Sequence, residues 1–312
     1  MKLKENADPL GLSSGFVFLI IGETSFMKII VTGHRGFLAA RVYKKLTEKH
    51  KLFGIDKAEA DISNFGEMKA LFEKIKPDTV IHCAAMGDIQ RCDEDPDTAV
   101  RVNILGTRNI ASLCAFHGTK LVYMSSDQVY NYYGHGNLRE YMAPDPTNFY
   151  GLTKWEGERD VRGSVPGHHI LRLSWQYGWH EDGLPDSRDG QLEALARSLR
   201  EGKKVRFIPG SRQNITFVYD TVDVIEKMAE QEIPYGTYNV ASENRMTDQE
   251  RAIYLLKKLG ADDAAARGLL VADENALPSE LLTEPYYLKM AGYKMPSFEE
   301  GLERCFRELI TI

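Results

Sequence analysis

Cysteine is scarce in this chain: four in 312 residues, Cys83, Cys92, Cys114 and Cys305, none of them in a CxxC pair. The eight histidines do not gather around them at metal-ligand spacing, so neither a disulfide framework nor a structural zinc site is expected. Cys83 and Cys114 lie in apolar stretches and read as buried thiols in a reducing compartment. Positive charge is short as well. With 39 Lys and Arg against 45 Asp and Glu the net charge is −6, which argues against nucleic acid or an anionic membrane as the main partner. A small anion is not excluded, because it needs only a local basic or dipolar pocket. The apolar run from Phe16 to Ile21 is far below the roughly 20 residues of a membrane span. Lys2 and Lys4 imitate the basic end of a signal peptide, but Glu5 and Asp8 break it and no small-residue cleavage site follows. Residues 1–26 therefore read as a loosely attached extension, or as a misplaced start ahead of Met27, and the chain reads as cytoplasmic. What is present in ordinary amount is apolar surface. At 43% apolar and 27% charged residues, the composition is that of a globular protein with a sizeable core, in one large domain or two modest ones.

From Met27 the pattern alternates. "KIIVTG" (28–33), "KLFGID" (51–56), "DTVIHCAA" (78–85), "KLVYMSS" (120–126) and "HHILRLSW" (168–175) are short runs, apolar on both faces. Between them lie helical stretches: 37–50, "NFGEMKALFEKI", a long helix from Asp97 to a glycine stop at Gly118, and one beginning near Asn148. This is the signature of an α/β fold, a doubly wound parallel sheet covered by helices, with its ligand beyond the carboxyl ends of the strands. Past Gly178 the rhythm breaks. The remainder reads as a smaller, mostly helical second domain, 179–212 and 243–312, with a segment of about 213–242 returning to the first sheet.

"VTGHRGFLA" places Gly33 at the end of the first strand and Gly36, Phe37 and Leu38 at the entry to the first helix. Glycines there allow a tight turn and let backbone approach a pyrophosphate, while the helix amino end supplies N–H donors and a favourable dipole. The spacing is G-x-x-G-x-x-A, with Ala39 small enough for close helix–strand packing. Asp56 ends the next strand, about 20 residues on, where an acidic side chain receives ribose hydroxyls. Asp61 and Ile62 are candidates to hold an adenine ring. Arg35 and Lys57 pull the other way, since a guanidinium in the turn pairs with a 2′-phosphate. Asp56 favours NAD and Arg35 favours NADP, and the choice stays open. His34 has no evident acid–base partner and reads as a turn residue.

In "NFYGLTKWEGE", Tyr150 and Lys154 stand four apart on one helical face, where both heads reach a common target. Together with the glycine turn, "HCAAMG" (82–87), "MSSDQVYNYYG" (124–134) and "PTNFYGLTKWEGE" (146–158), they make the chain resemble the extended short-chain dehydrogenase/reductase family, a group of nucleotide-sugar enzymes with a Rossmann-type fold. The resemblance runs from Met27 nearly to the C-terminus. Within that group it is most similar to the dTDP-4-dehydrorhamnose reductases, through Ser126-Asp127-Gln128-Val129-Tyr130, Asn148 to Lys154, and Arg172-Leu173-Ser174-Trp175.

The resemblance implies a nicotinamide cofactor, a nucleotide-sugar substrate, no metal, and a homodimer as one available assembly. It implies Tyr150 as proton donor to a substrate carbonyl, Ser126 as a second hydrogen bond to that oxygen, and Lys154 as the charge that lowers the phenol's pKa and holds the nicotinamide ribose. Ala84, Ala85, Met86, Asn103 and Ser125 would line or orient the cofactor path, within a dinucleotide-binding domain of 27–178. Asp127, Trp175, Arg212 and Asn214 would face the substrate. Tyr130, Tyr132 and Tyr133, with Gly134 and Gly136, form a segment able to close over substrate or to pack the domain junction. Two departures stand out. "GSRQNITFV" (210–218) replaces the Gly-x-Pro-Thr segment of rhamnose-type reductases, which leaves the sugar and its nucleotide open. Gln128 stands where the related dehydratases carry a glutamate base, and a neutral amide cannot take up a proton, so dehydration is disfavoured. The alternatives are an NAD-dependent nucleotide-sugar epimerase, or a non-catalytic regulatory subunit that binds NAD(P).

Overall fold

Successive residues of a strand point to opposite faces of a sheet. In β1 (Lys28–Thr32), Ile29 and Val31 enter one apolar layer and Ile30 the other. Each layer is closed by helices, which is why the strands are apolar on both sides. The computed structural model describes residues 26–130, 136–181, 184 and 191–310. The extension before Phe26, and Tyr132, Tyr133 and Gly134, fall outside them.

The chain runs β1, α1 (Phe37–Leu46), β2 (Lys51–Ile55), α2 (Phe65–Ile75), β3 (Thr79–His82), α3 (Ile89–Glu94), α4 (Pro96–Ala99), α5 (Thr107–His117), β4 (Lys120–Ser126), α6 (Phe149–Ser164) and β5 (His168–Leu173). It continues through β6 (Trp175–Tyr177), α7 (Gln191–Glu201), β7 (Val205–Phe207), β8 (Arg212–Gln213), β9 (Ile215–Phe217), α8 (Val218–Ala229) and β10 (Gly236–Val240). It ends with α9 (Asp248–Lys258), α10 (Asp263–Leu269), β11 (Leu270–Ala272), β12 (Glu280–Leu281), α11 (Tyr286–Met290) and α12 (Phe298–Ile310). The main sheet is parallel throughout, in the order β2-β1-β3-β4-β5-β10. The direction of winding reverses between β1 and β3, and a crevice opens there beyond the strand ends. The return segment does rejoin this sheet, through β10 on β5. Val42 and Leu46 of α1 share one layer with Val222 and Ile225 of α8, while α2, α5 and α6 close the other face. A third apolar cluster joins α7, α9, α10 and α12 around Tyr177, Phe217 and Phe298. Among the described residues no helix is long and apolar enough to cross a membrane.

Two sequence expectations need correction. The third strand stops at His82, so Ala84 to Met86 lie in the loop that follows it. The long helix expected from Asp97 is broken by a π-helical stretch, Val100–Gly106, before α5 begins. Its widened turn carries Asn103 fully inside, and Gly106 passes so near Ile62 that a Cβ would stand 2.7 Å from that side chain. Of the two readings left open for the tyrosine-rich segment, Tyr130 follows the packing one: it is buried, and its hydroxyl accepts from Arg172 and donates to Asn239. The glycine stop was read correctly, since Gly118 closes α5 at φ +67°.

The helix that carries Tyr150 and Lys154 is fixed at both ends. Asn148 caps it, accepting from Gly151 N–H at 2.8 Å and donating to Gln128 Oε1 at 2.8 Å. Gly151 passes so close that a Cβ would lie 2.1 Å from the Gln128 carbonyl oxygen. Further along, Glu158 is fully buried and accepts from Arg172 twice, at 2.9 and 2.8 Å, and from Ser125 Oγ at 2.6 Å. Arg162 bonds it from the half-exposed side. Arg172 is itself buried and packs over the Tyr130 ring, so one ion pair ties α6 to β4, β5 and the following turn. Removing one member strands the other without compensation. Glu158→Gln is expected to lower unfolding free energy by about 3–5 kcal/mol, and Arg162→Gln, at a partly exposed site, by no more than about 1 kcal/mol. Urea denaturation of both variants checks this, and equal losses would refute it.

Candidate active site

Beyond the carboxyl ends of β1, β3, β4 and β5 lies a cleft of about 460 Å³. Its walls are the glycine turn and the start of α1 (Gly33, Arg35, Gly36, Phe37, Leu38, Ala39), and the loop after β3 (Cys83, Ala85, Gly87, Ile89). The end of β4 and its turn (Met124, Ser125, Ser126, Asp127, Gln128), Tyr150 and Lys154 of α6, and the residues from Leu173 to Gln176 complete it.

The turn is built for close approach. Gly33 has φ +66°, and a Cβ on it would stand 2.8 Å from Ala84 Cα. Gly36 precedes α1 without any side-chain cap, and the first turn holds no acidic residue. The amino end of α1 therefore faces the cleft with N–H donors and dipole uncompensated, a seat for phosphate oxygens. The helix is held there by Arg41, which is buried, donates to the Phe37 and Trp179 carbonyls at 2.7 Å each, and lies 3.0 Å from Glu181. These features fit the phosphates of a dinucleotide. At the end of β2, Asp56 accepts from the Arg35 N–H at 2.9 Å. His34 is more than a turn residue: its Nδ1 lies 3.1 Å from Asp56 Oδ2, and its ring occupies the space that Gly54 leaves.

Lys154 is buried at the floor, its ammonium over the Tyr123 ring at 4.4 Å from the centroid. Burial pulls it down to about 8, against the opposing pull of Cys83, Glu158 and Cys92. Gly157 leaves room for Tyr123, since a Cβ there would meet its hydroxyl at 2.3 Å. Behind it His82 is held by Thr32 at 2.7 Å and Thr107 at 3.1 Å; burial and the Lys154 charge push it down to about 3, so it stays neutral. Tyr150 and Ser126 both line this cleft, and the Ser126 hydroxyl donates to Asp127 Oδ1 at 3.2 Å. The Tyr150 phenol is pushed up, not down as the sequence suggested: burial outweighs the opposing pull of Ser126, and Asp127 and Cys92 add to the rise. The Lys154 ammonium turns to Tyr123 and does not offset this. Asp127 is also buried, with Oδ2 unpartnered, and burial lifts it to about 7 against its bonds to Ser126 and Gln128.

Of the expected cofactor residues, Gly33, Arg35, Gly36, Phe37, Leu38, Ala85, Ser125, Tyr150 and Lys154 meet at this cleft. Ala84 instead packs against Gly33, and Met86 is clipped by Asn103, whose amide receives Met86 N–H at 2.8 Å and donates to Thr153 at 3.0 Å. Asn103 thus joins the β3 loop to the catalytic-type helix without entering the cleft. Asp56 and the exposed Lys57 lie past the Arg35 end. Asp61 is tied to Ser63 and Arg101, and Ile62 is buried under Gly106, so neither lines this cleft. On the substrate side Asp127 and a half-exposed Trp175 line it. Asn214 does not: its amide donates to the Ser242 carbonyl and accepts from Thr283. Arg212 lies outside too, 3.6 Å from Glu280. The sequence reading missed Gln128, Ser174 and Gln176 as cleft walls and took Cys83 for simple core. All sit at or just after strand ends, which was the available signal. Among the described residues no group of three or more His, Cys, Asp or Glu could hold a metal.

The chain and its fold are similar to known proteins. The chain is 24% identical over 250 residues to a dTDP-4-dehydrorhamnose reductase of Aggregatibacter actinomycetemcomitans, covering 78% of this chain and 81% of that one. It is 29% identical over 241 residues to methionine adenosyltransferase 2 subunit beta of Xenopus laevis, covering 72% and 70%. The structure is similar to that of Bacillus anthracis dTDP-4-dehydrorhamnose reductase in complex with NADP, at TM-score 0.79 and 27% identity, covering 91% of this chain and 99% of that one. Residues 27–310 match the family described as RmlD substrate binding domain, and the chain belongs to that family.

Proposed function

We propose that the chain is an NAD(P)H-dependent reductase of a nucleotide-linked 4-keto-6-deoxy sugar, acting in the cytoplasm. The observation that carries this is the meeting of Ser126, Tyr150 and Lys154 in one cleft, with an uncapped helix amino end opposite. A bound reduced nicotinamide supplies the hydride. Tyr150, kept protonated by burial, donates its proton to the carbonyl oxygen while Ser126 holds that oxygen in line. Lys154 anchors the ribose and offers the positive charge against which a phenolate can form. Trp175 and Asp127 face the sugar.

The test is direct. Purified protein is mixed with nucleotide-linked 4-keto sugars and NADH or NADPH, and reduced nicotinamide is followed. A reductase consumes it only when the sugar is present. Nicotinamide that co-purifies and needs no addition would indicate an epimerase, and binding without turnover would indicate a regulatory subunit. Size-exclusion chromatography tests the homodimer that the family resemblance allows.

Tyr150→Phe is expected to lower turnover by about 10²–10⁴-fold, with cofactor binding kept within about threefold. Normal turnover in this variant would overturn the assignment. The pH profile follows from Lys154: its charged form is present below about 8 and lost as pH rises through it. Reductive kcat/KM should therefore fall above that pH. Asp127→Asn should keep this limb, since Asp127 titrates lower; Lys154→Met should abolish it along with most activity. A wild-type profile flat to pH 10 would refute the role of Lys154.

A further inference from the structure

Glu59 has no part in the chemistry above, yet it is bound to the arginine of the glycine turn. Arg35 Nη2 donates to Glu59 Oε1 at 2.6 Å and Nη1 to Oε2 at 3.2 Å. The Asp56 N–H donates to the same Oε2 at 2.9 Å, and the Asp56 carbonyl accepts from the N–H groups of Glu59 and Ala60. The segment after β2 is thus folded back, so that the Glu59 carboxylate is presented to the turn. Asp56 Oδ2 lies 3.8 Å from the same guanidinium. Arg35 is faced by two carboxylates before any ligand arrives.

We propose that Glu59 sets the choice of cofactor: by filling the Arg35 fork it takes away the partner of a 2′-phosphate and selects NAD over NADP. The inference rests on the dinucleotide reading of the cleft. A 2′-phosphate is recognised by a free, planar guanidinium that gives it two parallel hydrogen bonds. Here both donors point at Glu59. To bind NADP, Arg35 would have to leave Glu59, and the phosphate would then stand among the charges of Glu59 and Asp56, with the exposed Lys57 as the other cation of this segment. The free diol of NAD meets no such conflict, because Asp56 offers it an acceptor without disturbing the pair. The pair is solvent-exposed on both sides, so its strength is modest and the discrimination is graded.

The test titrates NADH and NADPH into the full chain and reads dissociation constants from nicotinamide fluorescence. Wild type is expected to bind NADH about tenfold more tightly than NADPH, a gap that narrows with added salt. Glu59→Gln frees the fork at nearly constant size and is expected to tighten NADPH about fivefold or more while NADH moves less than about twofold. Adding Arg35→Ala to that variant should remove the gain, which a merely structural role for Glu59 would not predict. Thermal melts confirm that the variants are folded. Equal or tighter NADPH binding by wild type, or a Glu59→Gln effect shared by both cofactors, overturns the inference while leaving the dinucleotide reading intact. Failure of wild type to bind either cofactor overturns both.

Discussion

The structure depends on keeping one ammonium group out of water. Lys154 is buried at the bottom of the cleft, and burial works against its charge. What keeps it there is supplied by its surroundings: the face of Tyr123 above it and Glu158 one turn further along the helix. Glu158 is a second buried charge that needs its own partner, and Arg172 provides it from β5. Arg172 in turn needs Tyr130, whose hydroxyl bonds Asn239 on β10. One buried lysine thus organises a chain of compensations across β4, β5 and β10. That chain also explains why α6, one of the more polar helices, is buried along Gly151, Lys154, Gly157 and Glu158.

The opposite wall follows a different logic. The first turn of α1 carries no acidic side chain into the cleft, and backbone is brought close and left unsatisfied, while the buried Arg41–Glu181 pair holds the helix from behind. Gly33 and Ala84 nearly touch, which sets β1 against the loop after β3 where the sheet order reverses. The Thr32–His82–Thr107 relay ties the same strand ends to α5, and Asn103 ties the Met86 backbone to α6. The two walls are therefore linked through neutral hydrogen bonds, and the buried charge pairs lie behind them, Glu158–Arg172 on one side and Arg41–Glu181 on the other. A neutral linkage suits a surface that must receive phosphate, since a fixed anion there would repel it.

How much of this was legible depended on whether a residue acts through local spacing. The glycine turn, Asp56 at a strand end, the helix start near Asn148, the Gly118 stop and the Tyr150–Lys154 pair are local signals, and the structure places each where spacing put it. The network behind Lys154 was not legible, because Tyr123, His82, Glu158 and Arg172 come from separate elements and each alone reads as core or surface. Asn214 and Arg212 show the converse error. An amide and a guanidinium in a loop look ready for a ligand, but the amide clips two backbone segments and the arginine sits beside Glu280. The π-helical turn escaped because its apolar spacing differs from that of an α-helix by a single residue per turn.

The direction of the Tyr150 shift bears on how such a site works. A phenol made acidic in advance would lose its proton before substrate arrived and would be useless as a donor. Here burial holds it protonated, and Asp127 beside it, with an orphaned oxygen, is partly neutral near pH 7 for the same reason. Two carried protons thus face the cleft, and the ammonium of Lys154 is engaged with an aromatic face. Release of the phenolic proton becomes favourable only when a negative oxygen develops within reach, because that is the first change that lowers the cost of the transfer. In the proposed reduction the site would answer the developing alkoxide, and Gln128, lacking a proton-accepting carboxylate, would keep the same acid from being paired with a base for elimination.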